Sequence, residues 1–344
     1  MEYVYSFQKN YLYFKFFLFI FSITIIFNPI VILGNSNEGM NFSSSIVIPE
    51  NQINKSVDYF DLLVSPLDFQ ELKMTITNLS DKENKIKILP VNAYTNENGI
   101  ISYSTSEEMV NDSNQVFTHL AEETKIVVLN PLETKEVAMK ISLPKEPFKG
   151  IILGGFIIKN EEEPSKIESG ELRNDFQIIQ GVMLRENMDY IPNQFKINDV
   201  ILGIYQNQLS ILTNIQNTSP KLMKGITIQA WLRKKNSENI ILEQRSNNIN
   251  LAPNSNFNYP LVLGEHVLTP GKYTLDISIE FENDKLLFTK DFNVSKNNIY
   301  SNKTSIKHKN DLPIPITKII FLIIFFSLVL LIFYYILMKN LVIK

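Results

Sequence analysis

The chain predicts an all-β protein: two immunoglobulin-like β-sandwich domains in series plus one C-terminal transmembrane helix. Three observations carry that reading. Apolar residues recur with a period of two over much of the chain, polar turns rich in Asn, Pro and Gly separate these runs, and one unbroken apolar run, Ile319 to Met338, stands near the end. Alternation marks half-buried strands, and many short strands separated by turns, with few helices between them, mark a sandwich.

At the start, Lys9 and Lys15 precede the apolar stretch Phe16 to Phe27, Asn28 and Pro29 interrupt it, and Gly34, Asn35 and Ser36 supply small residues. This order predicts a signal peptide over 1–36, cleaved after Ser36. The alternative is an uncleaved signal anchor, since the apolar run reaches Leu33. The first sandwich is placed over 42–190, with its core in 44–160 and a closing strand near 176–184. Leu72, Met74 and Ile76 alternate with Lys73, Thr75 and Thr77, and Lys85 to Leu89 alternates again after a polar turn. Val137, Met139, Ile141 and Leu143 repeat the pattern. Ile151 to Ile158 is apolar nearly throughout and reads as a central strand; its Gly154 and Gly155 imply either a bulge or a close backbone approach. Ser106 to Glu122 is the main candidate for a helix. The acidic stretch Asn160 to Asn174 reads as a loop.

The second sandwich is placed over 191–300. Leu209 to Ile215 runs into Asn217, Thr218 and Ser219, much as Leu72 to Ile76 runs into Asn78, Leu79 and Ser80. Ile226, Ile228, Ala230 and Leu232 share one face of a strand, and Tyr273, Leu275, Ile277, Ile279 and Phe281 share one face of another. A linker over 301–318 leads to the transmembrane helix at 319–338 and a cytoplasmic tail at 339–344. The helix is long enough to cross, since its length at about 1.5 Å per residue matches a hydrocarbon core of about 30 Å. Lysine counts beside it do not orient the chain, but a signal that initiates export carries a long domain outward largely regardless of charge. A single-pass membrane protein is expected, with the bulk of the chain extracellular.

Composition narrows the function. The chain has no cysteine, so disulfides and thiolate chemistry are absent, and its net charge of −3 gives no electrostatic case for nucleic acid. His119, His266 and His308 are the only histidines and lie far apart in sequence. No glycine pattern opens a helix to cradle phosphate, and Glu161 to Glu163 lack the spacing of a calcium loop. No enzyme, no cofactor and no metal site is expected.

An ordered set of segments resembles the WxL-interacting proteins of Gram-positive bacteria. In the first domain these are Tyr59 to Val64, Leu72 to Ser80, Asn92 to Ile100 and Phe148 to Gly155; in the second, Ile178 to Glu186, Leu251 to Pro260 and Leu268 to Leu275. The resemblance implies a peptidoglycan-binding domain, a host-binding domain and a C-terminal transmembrane anchor. The partners it implies are peptidoglycan, WxL-domain proteins and host extracellular proteins. Trp231 is followed by Leu232 and Arg233, so the chain carries no WxL motif of its own, and Leu312 to Pro315 is no sortase signal. The alternative class is a membrane-tethered export chaperone or assembly factor for surface proteins, working through an exposed sheet edge.

Two places offer binding chemistry. Asn92, Tyr94, Thr95, Asn96, Asn98 and Tyr103 gather amide, hydroxyl and ring groups around a turn, a set able to hydrogen-bond sugar hydroxyls or peptide amides. The same residues also suit an ordinary Asn-Gly turn between strands. Trp231 falls on the strand face opposite Ile226 and Ile228, with Arg233 beside it; an outward Trp next to an Arg suits a protein interface, and packing under a loop is the other possibility.

Overall fold

The computed structural model describes residues 40–106, 116–161 and 176–297, together with positions 325, 326 and 329. The expected signal segment, the linker at 301–318, the tail and most of the run 319–338 lie outside the described residues. Phe325, Phe326 and Val329 are helical and exposed. Among the described residues no helix is long and apolar enough to cross a membrane. The strands described below all belong to one compact unit, Phe42–Lys344.

The first sandwich is built from β1 (Phe42–Ile46), β2 (Phe60–Leu63), β3 (Phe69–Asn78), β4 (Asn84–Thr95), β5 (Ile101–Ser104), β6 (Lys125–Leu129), β7 (Thr134–Ser142), β8 (Ile152–Asn160) and β9 (Gln177–Arg185). One sheet has the order β1-β3-β7. The other runs β2-β9-β8-β4-β5, with β6 also paired to β4. Alternation sets which residues meet between the sheets. Leu72, Met74 and Ile76 from β3 and Met139 and Ile141 from β7 share a core with Ile86 and Ile88 of β4, Ile152, Phe156 and Ile158 of β8, and Val182 and Leu184 of β9. All are fully buried. Each such side chain contributes about 1.5–3 kcal/mol on leaving water.

β8 holds unbroken register with both β4 and β9, so its two glycines mark no bulge. They mark close approach: a Cβ on Gly154 would lie 2.2 Å from the ring of Phe117, and one on Gly155 would lie 2.6 Å from the carbonyl of Gln180. Phe117 fills the space above β8 and meets Phe156 edge-on at 5.6 Å. The helix expected over Ser106 to Glu122 is not there in its described part, which is a 3₁₀ turn at Phe117–His119 followed by an isolated bridge from Ala121 to Ile141. Its start, 107–115, lies outside the described residues. The apolar side chains there anchor a loop to the core rather than line one face of a helix.

The second sandwich comprises β10 (Phe195–Tyr205), β11 (Gln208–Asn217), β12 (Met223–Lys234), β13 (Ile240–Leu251), β14 (Asn256–Val262), β15 (Gly271–Phe281) and β16 (Asp284–Val294). Its sheets run β10-β11-β14 and β13-β12-β15-β16. Ile211, Ile215, Tyr259 and Leu261 face Ile226, Ile228, Ala230, Leu232, Leu275, Ile277 and Ile279 across a second core. Tyr273, near the start of β15, donates its hydroxyl to the carbonyl of Thr269 at 2.7 Å and accepts from the Thr269 N–H at 3.1 Å. That back-bond ties a corner of the sandwich as tyrosine corners do in immunoglobulin-type folds.

The repeat seen in the sequence has a structural counterpart. Asn78 and Asn217 are both fully buried at the ends of β3 and β11. Asn78 donates to the carbonyls of Lys82 and Asn130 at 2.7 and 2.9 Å, and its side-chain oxygen accepts from the Ser80 N–H. Asn217 donates to Lys221 and Ala252, both at 2.9 Å, and accepts from the Ser219 N–H. In each case one buried amide side chain donates to two main-chain carbonyls and accepts from the Ser N–H two residues on, which gives each strand end its Asn-x-Ser.

Candidate functional site

The six-stranded sheet of the first sandwich has an apolar outer face as well as an apolar inner one. Even-numbered residues of β9 and β8 enter the core, so Ile179, Gly181 and Met183 point outward beside Ile157, Gly155 and Leu153, their register partners. Two tyrosines stand over the Gly155–Gly181 step. Tyr103 comes from β5 and Tyr59 precedes β2; a Cβ on Gly181 would lie 3.4 Å from the Tyr103 hydroxyl and 3.5 Å from the Tyr59 Cβ. Burial, and secondarily the neighbouring Tyr59, raise the pKa of the Tyr103 phenol above its ordinary value. It therefore remains a neutral hydroxyl at physiological pH, able to donate and accept.

Around these groups lies a cleft of about 410 Å³. Its lining includes Asp58, Tyr59, Tyr103 and Gly181 of the first sandwich and Leu222 and Lys224 of the second. Asp58 and Lys224 are exposed, so the cleft offers one charge of each sign. Two rings, two hydroxyls and a flat glycine floor suit a polar ligand that also presents small apolar groups. At the far end of β2 the outer face is clamped by an ion pair between Asp61 and Arg185, both largely buried.

The residues expected around the Asn92–Tyr103 turn part company in the structure. Of them, Tyr103 reaches the cleft. Its register partner is Ala93, so Asn92 and Tyr94, one residue to either side, face the opposite surface of the sheet. Asn92 is buried, donating to the Thr118 hydroxyl and accepting from the Thr118 N–H, both at 3.0 Å. Tyr94 is half-buried. Asn96 organises the turn, its side-chain oxygen accepting from the N–H groups of Asn98 and Ile100.

Thr95 and Asn98 bind the second sandwich. The Thr95 hydroxyl accepts from the Ala252 N–H at 2.9 Å and lies 3.1 Å from the Ser255 hydroxyl. Asn98 accepts from the Tyr205 hydroxyl at 2.6 Å, and the Gly99 carbonyl accepts from the Asn250 N–H at 2.7 Å. Nearby, the Ile151 N–H donates to the Pro220 carbonyl at 2.8 Å. The turn is thus the tongue of a hydrogen-bonded joint between the two sandwiches.

Trp231 and Arg233 lie elsewhere, on the outer face of the β13-β12-β15-β16 sheet, and neither lines the cleft. Trp231 is half-buried between Glu243 of β13 and Asp276 of β15, its register partners. Arg233 donates to Asp276 at 2.9 Å. The hydrogen bond that Arg233 donates to the Asp276 carboxylate raises the Arg233 pKa. Around them run further ion pairs, Arg245 and Lys285 on Glu280 and Lys235 on Asp291. Among the described residues no cluster of three His, Asp or Glu is arranged to hold a metal ion.

Sequence reasoning does not single out Asp58, Tyr59, Gly181 or Lys224 as site residues. Gly181 had a signal, a glycine inside an apolar strand; Asp58 and Lys224 had none, because the fold alone brings them together.

Comparison with known proteins gives two family matches that follow one another along the chain. Residues 42–160 match the peptidoglycan binding domain of WxL Interacting Protein, and residues 168–303 match its host binding domain. The second match begins before β9, so it includes a strand that belongs to the first sandwich's sheet. No curated protein matches significantly. Among solved structures, the class 5 fimbriae chaperone CfaA is similar at 13% identity and a TM-score of 0.29, covering 72% of this chain and 99% of that one. The E. coli chaperone DraB is similar at 12% identity and a TM-score of 0.27, covering 74% and 98%. A chain from a chaperone–tip adhesin complex of CFA/I fimbriae is similar at 13% identity and 0.32, covering 73% and 98%. Likeness at this level carries no functional argument.

Proposed function

The chain belongs to the WxL-interacting protein family, and from that premise we propose that it is a single-pass surface protein holding WxL-domain proteins against the cell wall. It is a cell-surface binding protein with a peptidoglycan-binding and a host-binding domain. The observation that carries the proposal is the order of those two domains, upstream of the apolar run at Ile319 to Met338. In this reading the run anchors the chain in the membrane, the first sandwich grips peptidoglycan, and the second presents its outer face to WxL-domain proteins or to host extracellular proteins. Trp231 is the contact point favoured on that face, since Trp and Arg are both residue types enriched at interface hot spots.

The test is sedimentation of the detergent-solubilised chain with insoluble peptidoglycan at moderate salt, followed by addition of a purified WxL-domain protein. Co-sedimentation of both supports the proposal. A chain that stays in the supernatant overturns the wall-binding half. The export-chaperone alternative predicts that the WxL protein binds in solution and is released on reaching the wall, so its retention in the pellet decides against that alternative.

A further inference from the structure

β2 is short, and what it leaves uncovered is informative. It pairs in parallel with Val182–Arg185 alone, from Phe60↔Val182 to Leu63↔Arg185. Upstream, Gln177–Gly181 pair with β8 on one side and, among the described residues, have no strand paired on the other. The Val64 N–H donates to the Arg185 carbonyl at 3.0 Å, so Arg185 turns its main chain toward β2. Alternation then turns the main chain of Ile179 toward the same, open side, along with the N–H of Gly181. The cleft runs along this stretch, its lining following β9 from Ile178 to Met183. Ser44, across the gap on β1, also lines it, and the Ser44 hydroxyl oxygen is buried with no hydrogen-bond partner among the described residues.

We infer that this open edge of β9 takes the peptide stem of peptidoglycan by strand addition, the stem lying in the cleft as a continuation of β2. The inference rests on the proposed wall binding by the first sandwich and names the part of the polymer that is recognised. An exposed strand edge supplies main-chain affinity, and pockets beside it supply specificity. The open edge of Gln177–Gly181 spans about 16 Å at about 3.3 Å per residue, the length of an extended peptide of four or five residues.

β2 occupies the same edge from Val182 onward, so an added strand must stop there. A short peptide can do that; a partner protein's strand would have to turn away at once. Stem peptides are rich in alanine, whose methyl groups suit the Gly155–Gly181 floor beneath Tyr59 and Tyr103. They also carry free carboxylates and, in many walls, an amine. Lys224 and Asp58 stand on the lining to meet one of each.

The experiment uses the whole chain in detergent and three probes: intact sacculi, glycan strands from which an amidase has removed the stems, and a soluble synthetic stem pentapeptide. Intact sacculi and the free pentapeptide are expected to bind, and stem-free glycan to bind at least tenfold more weakly. Ile179→Pro deletes one outward N–H while leaving the β8 pairing, which uses neighbouring residues, in place. It is expected to lower pentapeptide affinity at least tenfold, as is Gly181→Val, which fills the floor.

Equal sedimentation with stem-free glycan overturns the inference and leaves wall binding standing. So does parental pentapeptide affinity in Ile179→Pro and Gly181→Val variants that melt as the parent does. Failure of intact sacculi to sediment the chain removes the wall-binding reading and this inference with it.

Discussion

Replacing Gly150 by Ala should open the joint between the sandwiches. Gly150 has φ +75°, in the left-handed region, and a Cβ there would lie 2.1 Å from the Pro220 carbonyl oxygen and 2.7 Å from Ile191 Cδ1. The oxygen is backbone, so it cannot rotate away. The left-handed conformation costs an alanine about 1 kcal/mol. Relieving the clash requires a shift of roughly 1 Å, which breaks the adjoining bond from the Ile151 N–H to the same oxygen; an unpaired N–H in that place costs a further 1–3 kcal/mol or so. The sum is about 3 kcal/mol, a fall of roughly 6–12 °C in melting temperature for a body of this size. Calorimetry on residues 42–297, which hold both cores, is the assay. Gly99→Ala is the internal comparison: its Cβ meets Ile249 Cδ1 at 2.6 Å, a movable side-chain tip, so its loss should be smaller. A Gly150→Ala protein that melts with the parent, in the same single or double transition, would refute the reasoning.

Asn78→Ala and Asn217→Ala should each destabilise their own sandwich by about 2–4 kcal/mol, because each removes two or more hydrogen bonds to main-chain carbonyls and the acceptor of a Ser N–H; denaturant melts that differ from the parent by under 1 kcal/mol or so would contradict this. Acid should loosen the second sandwich. The Lys235 ammonium and the Thr274 hydroxyl hold the Asp291 pKa below its ordinary value, and Lys285 with Arg245 does the same for Glu280. A depressed folded pKa contributes stability that is present above the ordinary carboxylate range and lost as pH falls through the folded value, so melting temperature should decline below about pH 4.5. Asp291→Asn should flatten that decline; an unchanged slope speaks against the assignment. Trp231→Ala should weaken capture of a WxL-domain protein about tenfold or more while leaving the melt within a few degrees; reduced stability with capture intact would show that the ring is packing.

Strands with one dry and one wet face are legible in the amino-acid sequence. β3, β7, β12 and β15 alternate cleanly because each borders a core on one side alone. β13 is hidden there for a physical reason: it is an edge strand with few fully buried residues, and its register with β12 shifts between Ile226 and Ile228, near Asn248 at φ 60°. The shift moves Ile249 and Leu251 out of phase with the residues before them, so no period of two survives. The Asn92–Tyr103 turn is visible as a concentration of polar groups, but its two uses are not. Whether an amide closes a turn, joins two domains or meets a ligand depends on what lies opposite, and Tyr205, Ala252 and Ser255 stand more than a hundred residues downstream. The cleft is least legible, because it is made by the end of a short strand rather than by any cluster of residue types.

β9 also sets how the molecule bears load. Once the hydrogen-bonded joint between the sandwiches has parted, tension from the C-terminal side enters the first sandwich through the chain after Arg185 and pulls β9 along its own axis. Its hydrogen bonds to β2 on one flank and to β8 on the other lie across that axis. They are stretched in shear and must fail together, unlike the bonds of an edge hairpin, which unzip one at a time. The strand that the family boundary assigns to the outgoing segment is thus the mechanical splice of the protein, held on both flanks over Val182–Leu184, the end at which the pull arrives.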